Sequence, residues 1–183
     1  MLKKGYGLII TGISGGGKTT VAQELLKRRP SLHHAVRMTT RKPVAGEIAG
    51  FDYEFADEQS LMRLKRSGEL LYYEKWYDNI YAVKKNEVED HLKQGQDVLM
   101  QAVIPAACKL YKHANIKVVF LTTKDLETQR LRLERRGSSP QGIIKRLSYR
   151  NIEHEMSKKM GFFTIINHEL NDTLRQVENY FFS

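Results

Sequence analysis

The chain has 183 residues, 41% of them hydrophobic, which suits one compact domain with a full core, and no apolar run approaches the about 18 residues that a transmembrane helix needs. Residues 1–5 lead directly into a predicted strand, which leaves no room for a signal peptide, and the single cysteine, Cys108, excludes a disulfide framework, so we expect a cytoplasmic protein with no membrane partner. The net charge of +9 indicates a polyanionic partner, and because no RNP, zinc-finger or helix-turn-helix signature accompanies it, we expect a small phosphorylated substrate rather than nucleic acid.

The first predicted elements surround a glycine-rich loop. Residues 7–11, Gly-Leu-Ile-Ile-Thr, are short, apolar and β-branched, which predicts a buried strand. Residues 19–27 have the apolar spacing of a helix face. Residues 12–19 read Gly-Ile-Ser-Gly-Gly-Gly-Lys-Thr and fit the pattern G-x-x-x-x-G-K-[ST] at every fixed position. A strand, a glycine loop and a helix in this order are the setting in which the pattern binds phosphate, so a chance glycine-rich turn is the weaker interpretation.

The residue types of this loop suit a nucleoside triphosphate and its metal ion. Glycines let backbone N–H groups curl around a phosphate, and the N-terminus of the following helix adds a partial positive charge. Lys18 can neutralise the β- and γ-phosphates, and the hydroxyl of Thr19 can ligate Mg²⁺. We therefore expect ATP and Mg²⁺ as cofactors. The residues expected to contact ATP here are Gly12, Ser14, Gly15, Gly16, Gly17, Lys18, Thr19 and Thr20.

Strands and helices alternate along the rest of the chain. The predicted strands are 35–39, 70–73, 80–83, 97–101, 117–121 and 162–166, and the predicted helices are 57–68, 86–92, 105–110, 125–136, 142–156 and 171–182. Residues 39–55 are rich in Gly, Pro, Arg and Tyr and have no helical period, so we expect a loop with a short strand that carries function. The alternation predicts an α/β fold with a parallel sheet and helices on both of its faces.

A second motif narrows the class of protein. It reads Thr-Thr-Arg-Lys-Pro at residues 39–43, Gly-Glu at 46–47 and Gly-Phe-Asp-Tyr-Glu-Phe at 50–55. This resembles the T-T-R-x-P-R-x-G-E-x-x-G-x-D-Y-x-F segment of guanylate kinases. Residues 132–137 resemble the family's R-L-x-x-R-G lid motif, residues 144–147 the I-x-x-R-L that follows it, and residues 167–170 the N-D-x-L turn that meets the adenine of ATP. The resemblance covers essentially the whole chain.

The resemblance implies a single domain with the P-loop kinase fold. Its parts are a three-layer αβα core with a central parallel sheet (residues 1–36 and 91–183), a small mixed α/β insert that binds the acceptor (about 37–90) and a helical lid (about 133–150). It also implies transfer of the ATP γ-phosphate to a nucleoside monophosphate, nearest to the reaction of ATP with GMP. Phosphoryl transfer needs positioning and cationic charge, which arginine supplies. The implied residues are Lys18, Arg41, Arg136 and Arg146 for catalysis, Arg132 and Asn167 for ATP, and Arg37, Arg41, Tyr53, Tyr72 and Tyr81 for the acceptor.

The acceptor half departs from the family pattern. Val44 stands where the family has a second phosphate-binding arginine, and Tyr72 stands where a carboxylate reads guanine. Arg37 aligns with a serine that contacts the base, Val83 with a serine or threonine, and residues 98–102 with an acidic strand near base and metal. A carboxylate that accepts hydrogen bonds from N1–H and the 2-amino group of guanine contributes ~1–3 kcal/mol to discrimination against other bases. We therefore expect GMP to be a poor or non-exclusive substrate, with a smaller preference over AMP than guanylate kinases ordinarily show.

Several alternatives remain open at the acceptor end. Glu69 or Glu74 could replace the missing carboxylate after a register shift, although surface charge is the favoured interpretation of both. Arg37 could recover the charge lost at Val44, or it could meet an extra anionic group on a different acceptor. The aromatic patch around Trp76 could stack on a base or pack the insert.

Three functions are compatible with these observations. The first is a nucleoside monophosphate kinase nearest to guanylate kinase. The second is a kinase of another phosphomonoester, such as a different nucleotide or a sugar phosphate. The third is a non-catalytic binding module, against which the complete phosphate loop argues. We expect a monomer or a homodimer.

Overall fold

The computed structural model describes residues 4–44, 46–113 and 115–182. The strands are β1 (Gly7–Gly12), β2 (His33–Ala35), β3 (Arg37–Thr39), β4 (Tyr53–Phe55), β5 (Leu70–Trp76), β6 (Asn79–Lys84), β7 (Val98–Gln101), β8 (Ile116–Thr122) and β9 (Phe163–Ile166). The helices are α1 (Lys18–Arg28), α2 (Glu58–Arg66), α3 (Asn86–Lys93), α4 (Ile104–Leu110), α5 (Leu126–Arg135), α6 (Pro140–Ser148), α7 (Arg150–Met160) and α8 (Leu170–Phe182). Within the described ranges, no helix has both the length and the apolar character needed to span a membrane.

The central sheet is parallel and has the order β2-β7-β1-β8-β9. Successive side chains of a strand point to opposite faces, so β1 contributes to two separate apolar clusters. Leu8 and Ile10 pack with residues of α1 and α8, and Ile9 packs with residues of α4. The sheet is therefore covered on both faces, which confirms the predicted three-layer α/β fold.

A second, smaller sheet has the order β4-β3-β6-β5. Its strands β3 and β4 are parallel, while β3 with β6 and β5 with β6 are antiparallel. Leu61 of α2 packs against this sheet in a cluster with Met38, Leu70 and Ile80. This unit is mixed α/β, and it faces the central sheet across a cavity.

The strand predicted at residues 35–39 is wrong, because two strands of different sheets occupy this stretch. Ala35 ends β2 and pairs with Met100 of the central sheet, whereas Arg37 begins β3 and pairs with Tyr53 of the second sheet. Only Val36 separates them. The sequence pattern predicts extended backbone but not the partner strand, and here the partner changes within one residue.

The helix predicted at residues 142–156 is also wrong as a single element. It consists of α6 and α7, which meet at Tyr149. No proline or glycine marks the junction, so the helical pattern appears continuous in the sequence. Ser139 caps the start of α6 by accepting a hydrogen bond from the N–H of Gly142, and Gly161, with φ 67°, ends α7.

Candidate active site

The cavity has a volume of about 270 Å³ and lies beyond the carboxyl ends of β1 and β7. The second sheet, α6 and the turn before α6 form its other walls. Its lining includes the cationic side chains of Lys18, Arg37, Arg41, Arg136 and Arg146. Ligands of open α/β sheets bind at this end of the strands, and the surplus of positive charge suits phosphates.

The glycine-rich loop curls at one end of this cavity, between β1 and α1. Gly12 has φ 141°, and a Cβ atom there would lie 2.1 Å from the carbonyl oxygen of Leu121. Gly17 has φ 91°, and a Cβ atom there would lie 2.1 Å from Nδ2 of Asn167. Backbone packing excludes a larger residue at Gly12, whereas at Gly17 a larger residue would displace Asn167 and strain the left-handed backbone.

Lys18 lies at the first position of α1 and points back into the loop. Its Nζ donates to the carbonyl oxygens of Gly12 and Ile13, each at 2.8 Å. Burial lowers the pKa of Lys18 to about 8, with Arg37 and Arg136 lowering it further and Glu153 opposing them. A phosphate bound in the loop would bring negative charge to this ammonium and favour its charged form.

The back of the loop is anchored by side chains from α5 and from the segment after β9. Nδ2 of Asn167 donates to the carbonyl of Gly16 at 2.9 Å, and Arg132 donates to the carbonyls of Gly15 at 3.4 Å and Asn167 at 2.8 Å. These bonds occupy carbonyl oxygens. The N–H groups of Ile13 and Gly16 donate to backbone carbonyls, so the remaining loop N–H groups are the donors available to an anion.

Two residues that the sequence analysis missed extend this anchor. Gln129 is fully buried, and its Nε2 donates to the carbonyl of Ser14 at 2.9 Å. Arg150 donates to Oε1 of Gln129 at 3.0 Å and to the hydroxyl of Thr123 at 2.9 Å. A glutamine inside a basic helix carries no recognisable motif, so only the fold reveals this role.

The residues expected to contact ATP divide into two groups. Those that line the cavity are Gly12, Ser14, Gly15, Gly17, Lys18 and Thr19. Those outside the lining are Gly16, Thr20, Arg132 and Asn167. Thr20 is exposed on α1, Arg132 and Asn167 hold the loop from behind, and Gly16 is a loop residue whose carbonyl accepts from Asn167.

At the opposite end of the cavity, Glu47 joins the second sheet unit to the segment after α5. Its Oε1 accepts from Nη2 of Arg41 at 2.6 Å and from Nη2 of Arg136 at 2.9 Å, and its Oε2 accepts from the backbone N–H of Val44 at 2.9 Å. Burial alone would raise the pKa of Glu47, but the bonds from Arg41 and Val44 outweigh it and hold the pKa below its ordinary value. This carboxylate therefore fixes two of the predicted catalytic arginines beside the cavity.

Two tyrosines of the second sheet complete this end of the cavity. The ring centroid of Tyr53 lies 4.9 Å from Cζ of Arg41 and 4.1 Å from Cζ of Arg37. Tyr81 lines the cavity as well, and burial raises the pKa of its hydroxyl. Arg146 of α6 donates to the carbonyl of Gly142 at 3.0 Å and closes the wall.

The inner wall differs from what the alignment with the acceptor site implies. Tyr72 is only 5% exposed and does not line the cavity, and its hydroxyl donates to the backbone carbonyl of Gln101 at 3.4 Å. Arg37 lines the cavity instead, and its Nη2 donates to Oε1 of Gln101 at 3.0 Å. An arginine therefore stands at this wall, with the tyrosine behind it.

The two carboxylates that could replace a guanine-reading group point elsewhere. Glu69 accepts a hydrogen bond from the hydroxyl of Ser67, and Glu74 forms an ion pair with Lys109. Neither belongs to the cavity lining. Among the lining residues that the structure describes, the only carboxylate is that of Glu153.

Glu153 lies on α7 and holds the tip of the β5–β6 hairpin against the core. It is 1% exposed, and its Oε1 accepts from the hydroxyl of Tyr77 at 2.7 Å and from Nε1 of Trp76 at 3.3 Å. The ring of Tyr149 packs edge-on against both aromatic rings, with centroid distances of 5.0 Å to Trp76 and 4.8 Å to Tyr77. Burial raises the pKa of Glu153 to about 7. Trp76 and Tyr77 therefore pack the hairpin tip onto α7 and its junction with α6 while also lining the cavity.

Comparison with known proteins shows the family of this chain. The guanylate kinase family model matches residues 4–183. A guanylate kinase of Wolbachia pipientis wMel is 34% identical over 179 residues, covering 96% of this chain and 89% of that protein. One from Clostridioides difficile (strain 630) is 33% identical over 179 residues, covering 97% and 87%.

Solved structures give the same result for the fold. The crystal structure of guanylate kinase from Anaplasma phagocytophilum has a TM-score of 0.79 and 25% sequence identity, covering 98% of this chain and 86% of that one. A shikimate kinase from Acinetobacter baumannii has a TM-score of 0.51 at 14% identity, covering 96% and 92%, which shows likeness of fold alone. The match of the family model over nearly the whole chain, together with these relatives, establishes that the chain belongs to the guanylate kinase family.

Proposed function

We propose that this protein transfers the γ-phosphate of ATP to the phosphate of a nucleoside monophosphate, with GMP as the acceptor that the family name indicates. The observation that supports this most directly is that a complete phosphate loop and the cluster of Arg41, Tyr53 and Tyr81 line the same cavity from different elements. Such a cavity can hold a donor phosphate and an acceptor phosphate next to each other, which is the main requirement of phosphoryl transfer.

The donor phosphates would bind in the loop. Loop residues and the first residues of α1 line the cavity, so the helix N-terminus is available to an anion there, and Lys18 supplies a cation at the same place. The ammonium of Lys18 donates to the carbonyl oxygens of Gly12 and Ile13, which lie at the loop. It can therefore exchange these bonds for bonds to phosphate oxygens without leaving the cavity.

The acceptor phosphate would bind to Arg41 and to the hydroxyls of Tyr53 and Tyr81. One of its oxygens attacks the γ-phosphorus, and the bond between that phosphorus and the oxygen bridging it to the β-phosphate breaks, leaving ADP. The attacking oxygen is already anionic, so the step needs no general base. Charge instead accumulates on the moving phosphoryl group, where Arg136 and Arg146 would stabilise it.

A Mg²⁺ ion is compatible with the residues near the loop. Among the described residues, no group of three His, Cys, Asp or Glu side chains is placed to hold a metal. The hydroxyl of Thr19 makes only a long contact, 3.5 Å, with Oε1 of Gln101, so it can serve as a metal ligand. Mg²⁺ accepts few protein ligands when phosphate oxygens and water supply the rest, and when bound it would neutralise charge on the β- and γ-phosphates.

An ADP-release assay with a panel of acceptors tests this function. The protein, ATP and Mg²⁺ are incubated with GMP, IMP, AMP, CMP, UMP or a sugar monophosphate. We expect ADP to appear with at least one purine nucleoside monophosphate. ADP release with the sugar phosphate alone would favour a kinase of another phosphomonoester. The absence of ADP release with every acceptor would favour a non-catalytic binding module.

A further inference from the structure

Arg37 is a buried cation that lacks a full set of partners. Its side chain is 3% exposed, its Nη2 donates to Gln101, and its Nε has no hydrogen-bond partner among the described residues. Because it lines the cavity, a bound ligand can reach it. An unpaired buried donor favours a ligand that offers hydrogen-bond acceptors at this point.

Among the described residues, the inner wall around Arg37 presents no carboxylate that would read the hydrogen-bond donors of a base. Tyr72 lies behind it with its hydroxyl turned to a backbone carbonyl, Val83 is apolar and fully buried, and Ala102 presents only a methyl group. The Oε1 of Glu153 accepts from Trp76 and Tyr77 at the hairpin tip, and its Oε2 has no hydrogen-bond partner among the described residues. Among the described lining residues, this Oε2 is therefore the one unpartnered carboxylate oxygen that the N1–H and 2-amino groups of guanine could meet, and it lies on α7 whereas Arg37 lies on β3.

An arginine reads a different edge of the base. The 6-oxopurines present two acceptors side by side, O6 and N7, which match the fork of a guanidinium group, whereas adenine presents its 6-amino donor at that place. We propose that Arg37 binds the O6 and N7 edge of the acceptor base, so that the protein uses 6-oxopurine nucleoside monophosphates whether or not they carry the 2-amino group. This rests on the proposed nucleoside monophosphate kinase function and refines it: IMP, rather than AMP, becomes the competitor of GMP.

The unmodified protein provides the first test, which is a comparison of kcat/KM for GMP, IMP, 7-deaza-GMP and AMP. We expect GMP and IMP to agree within about 10-fold, since the 2-amino group is not read. We expect AMP to be lower by about 100-fold and 7-deaza-GMP, which lacks the N7 acceptor, to be lower than GMP by about 10-fold.

The variant Arg37→Met removes the donors while keeping a flexible side chain to pack on Tyr53. It should reduce kcat/KM for GMP and IMP to the same degree, by about 10- to 100-fold, and leave the affinity for ATP and the use of AMP unchanged. The matched control is Arg66→Met, at the exposed end of α2 in the same unit, which should change none of these values.

Three results would overturn the inference and leave the proposed function intact. GMP preferred over IMP by more than about 100-fold would mean that a carboxylate such as Glu153 reads the 2-amino group. Equal use of AMP and GMP would mean that Arg37 does not read the base. A monophosphate bearing a second anionic group, used better than any purine nucleotide, would mean that Arg37 binds that anion. Failure of every acceptor to release ADP would instead overturn the proposed function itself.

Discussion

Burial acts in opposite directions on the two ionisable groups beside the phosphate loop. It lowers the pKa of Lys18 to about 8 and raises that of Glu153 to about 7, because loss of hydration disfavours the charged form of each. Each group also favours the charge of the other. The site without ligands is therefore electrostatically costly at the residues that would handle phosphate, a pattern common at functional sites.

Replacing Lys18 with methionine should abolish phosphate transfer and preserve the fold. The variant keeps the length of the side chain and loses the cation at the donor phosphates, so we expect kcat to fall by ~10³-fold or more. Steady-state kinetics with a thermal melt measures both effects, and Lys27→Met, exposed on the same helix, is the control. Turnover near that of the unmodified protein would show that Lys18 does not serve a working site.

The raised pKa of Glu153 should be visible in the pH dependence of stability. The unfolded chain loses this proton near the ordinary pKa of 4.5, whereas the folded protein keeps it until about pH 7. Between these values the folded state binds more protons, so the contribution of Glu153 to the free energy of unfolding falls as pH rises through the window and is constant above it.

Glu153→Gln should remove that fall, since glutamine has no proton to lose and its carbonyl can still accept from Tyr77. Urea unfolding at pH 5 and pH 8 measures the difference, and Glu155→Gln, exposed on the same helix, is the control. An identical pH dependence in Glu153→Gln and the unmodified protein would show that the carboxyl titrates normally.

Metal dependence follows from the residues around Thr19. Gln101 offers a neutral amide near the Thr19 hydroxyl, and the adjoining Ala102 offers no oxygen ligand in its side chain. We therefore expect activity to require Mg²⁺ but to need a higher concentration of it than a site with a strand carboxylate would. A Mg²⁺ titration after EDTA treatment measures this, with Ala102→Asp expected to lower the half-saturating concentration. Activity that persists in EDTA would contradict the expectation.

At the scale of elements, the tip of the β5–β6 hairpin is joined to the helices α6 and α7. Besides the contacts of Trp76 and Tyr77 with Glu153, Asp78 at the tip forms an ion pair with Lys145 of α6. Tyr77 and Asp78 have φ values of 49° and 66°, so the tip turns through left-handed backbone at non-glycine residues. The hairpin tip is thus tied to both α6 and α7 near the place where these helices meet.

The single tryptophan makes this joint measurable. Tyr149→Ala removes the ring that packs on Trp76, so water should reach the indole and the fluorescence maximum should shift to longer wavelength. The matched control is Tyr111→Ala, whose ring packs against Phe162, and its spectrum should not change. An unshifted maximum in Tyr149→Ala would show that the hairpin tip does not pack against the junction of α6 and α7 in solution.

Sequence reasoning succeeded where local pattern and chemistry coincide. The strand, loop and helix around residues 7–28 are as predicted, since one motif specifies both the backbone and the ligand. It failed at residues 35–39 and 142–156, where the strand or helix propensity is continuous along the sequence. There, tertiary packing decides where one element ends and the next begins. The division between β2 and β3 is set by two different partner strands, and no residue between them signals it.

At the scale of the whole molecule, the candidate site likewise contains residues that motifs predict and residues that only the fold reveals. The loop residues and the arginines of the motifs lie around one cavity, and this much follows from motif chemistry. Glu47, Gln129 and Glu153 could not be assigned from sequence, because each acts through a partner distant in the chain: Arg136, Ser14 and Trp76 respectively. Tyr72 and Arg37 are both near the inner wall, but only the fold decides which of them faces the cavity.

The central claim is that donor and acceptor phosphates meet directly in this one cavity. The most direct measurement uses ATP with a radioactive γ-phosphate. It is incubated with the protein, Mg²⁺ and GMP, and the product that carries the label is identified. We expect the label in GDP, with one ADP formed per GDP and little inorganic phosphate, because the cations that line the cavity hold an acceptor phosphate in place of water. Label released as inorganic phosphate at a rate independent of GMP, or no release at all, would contradict this account.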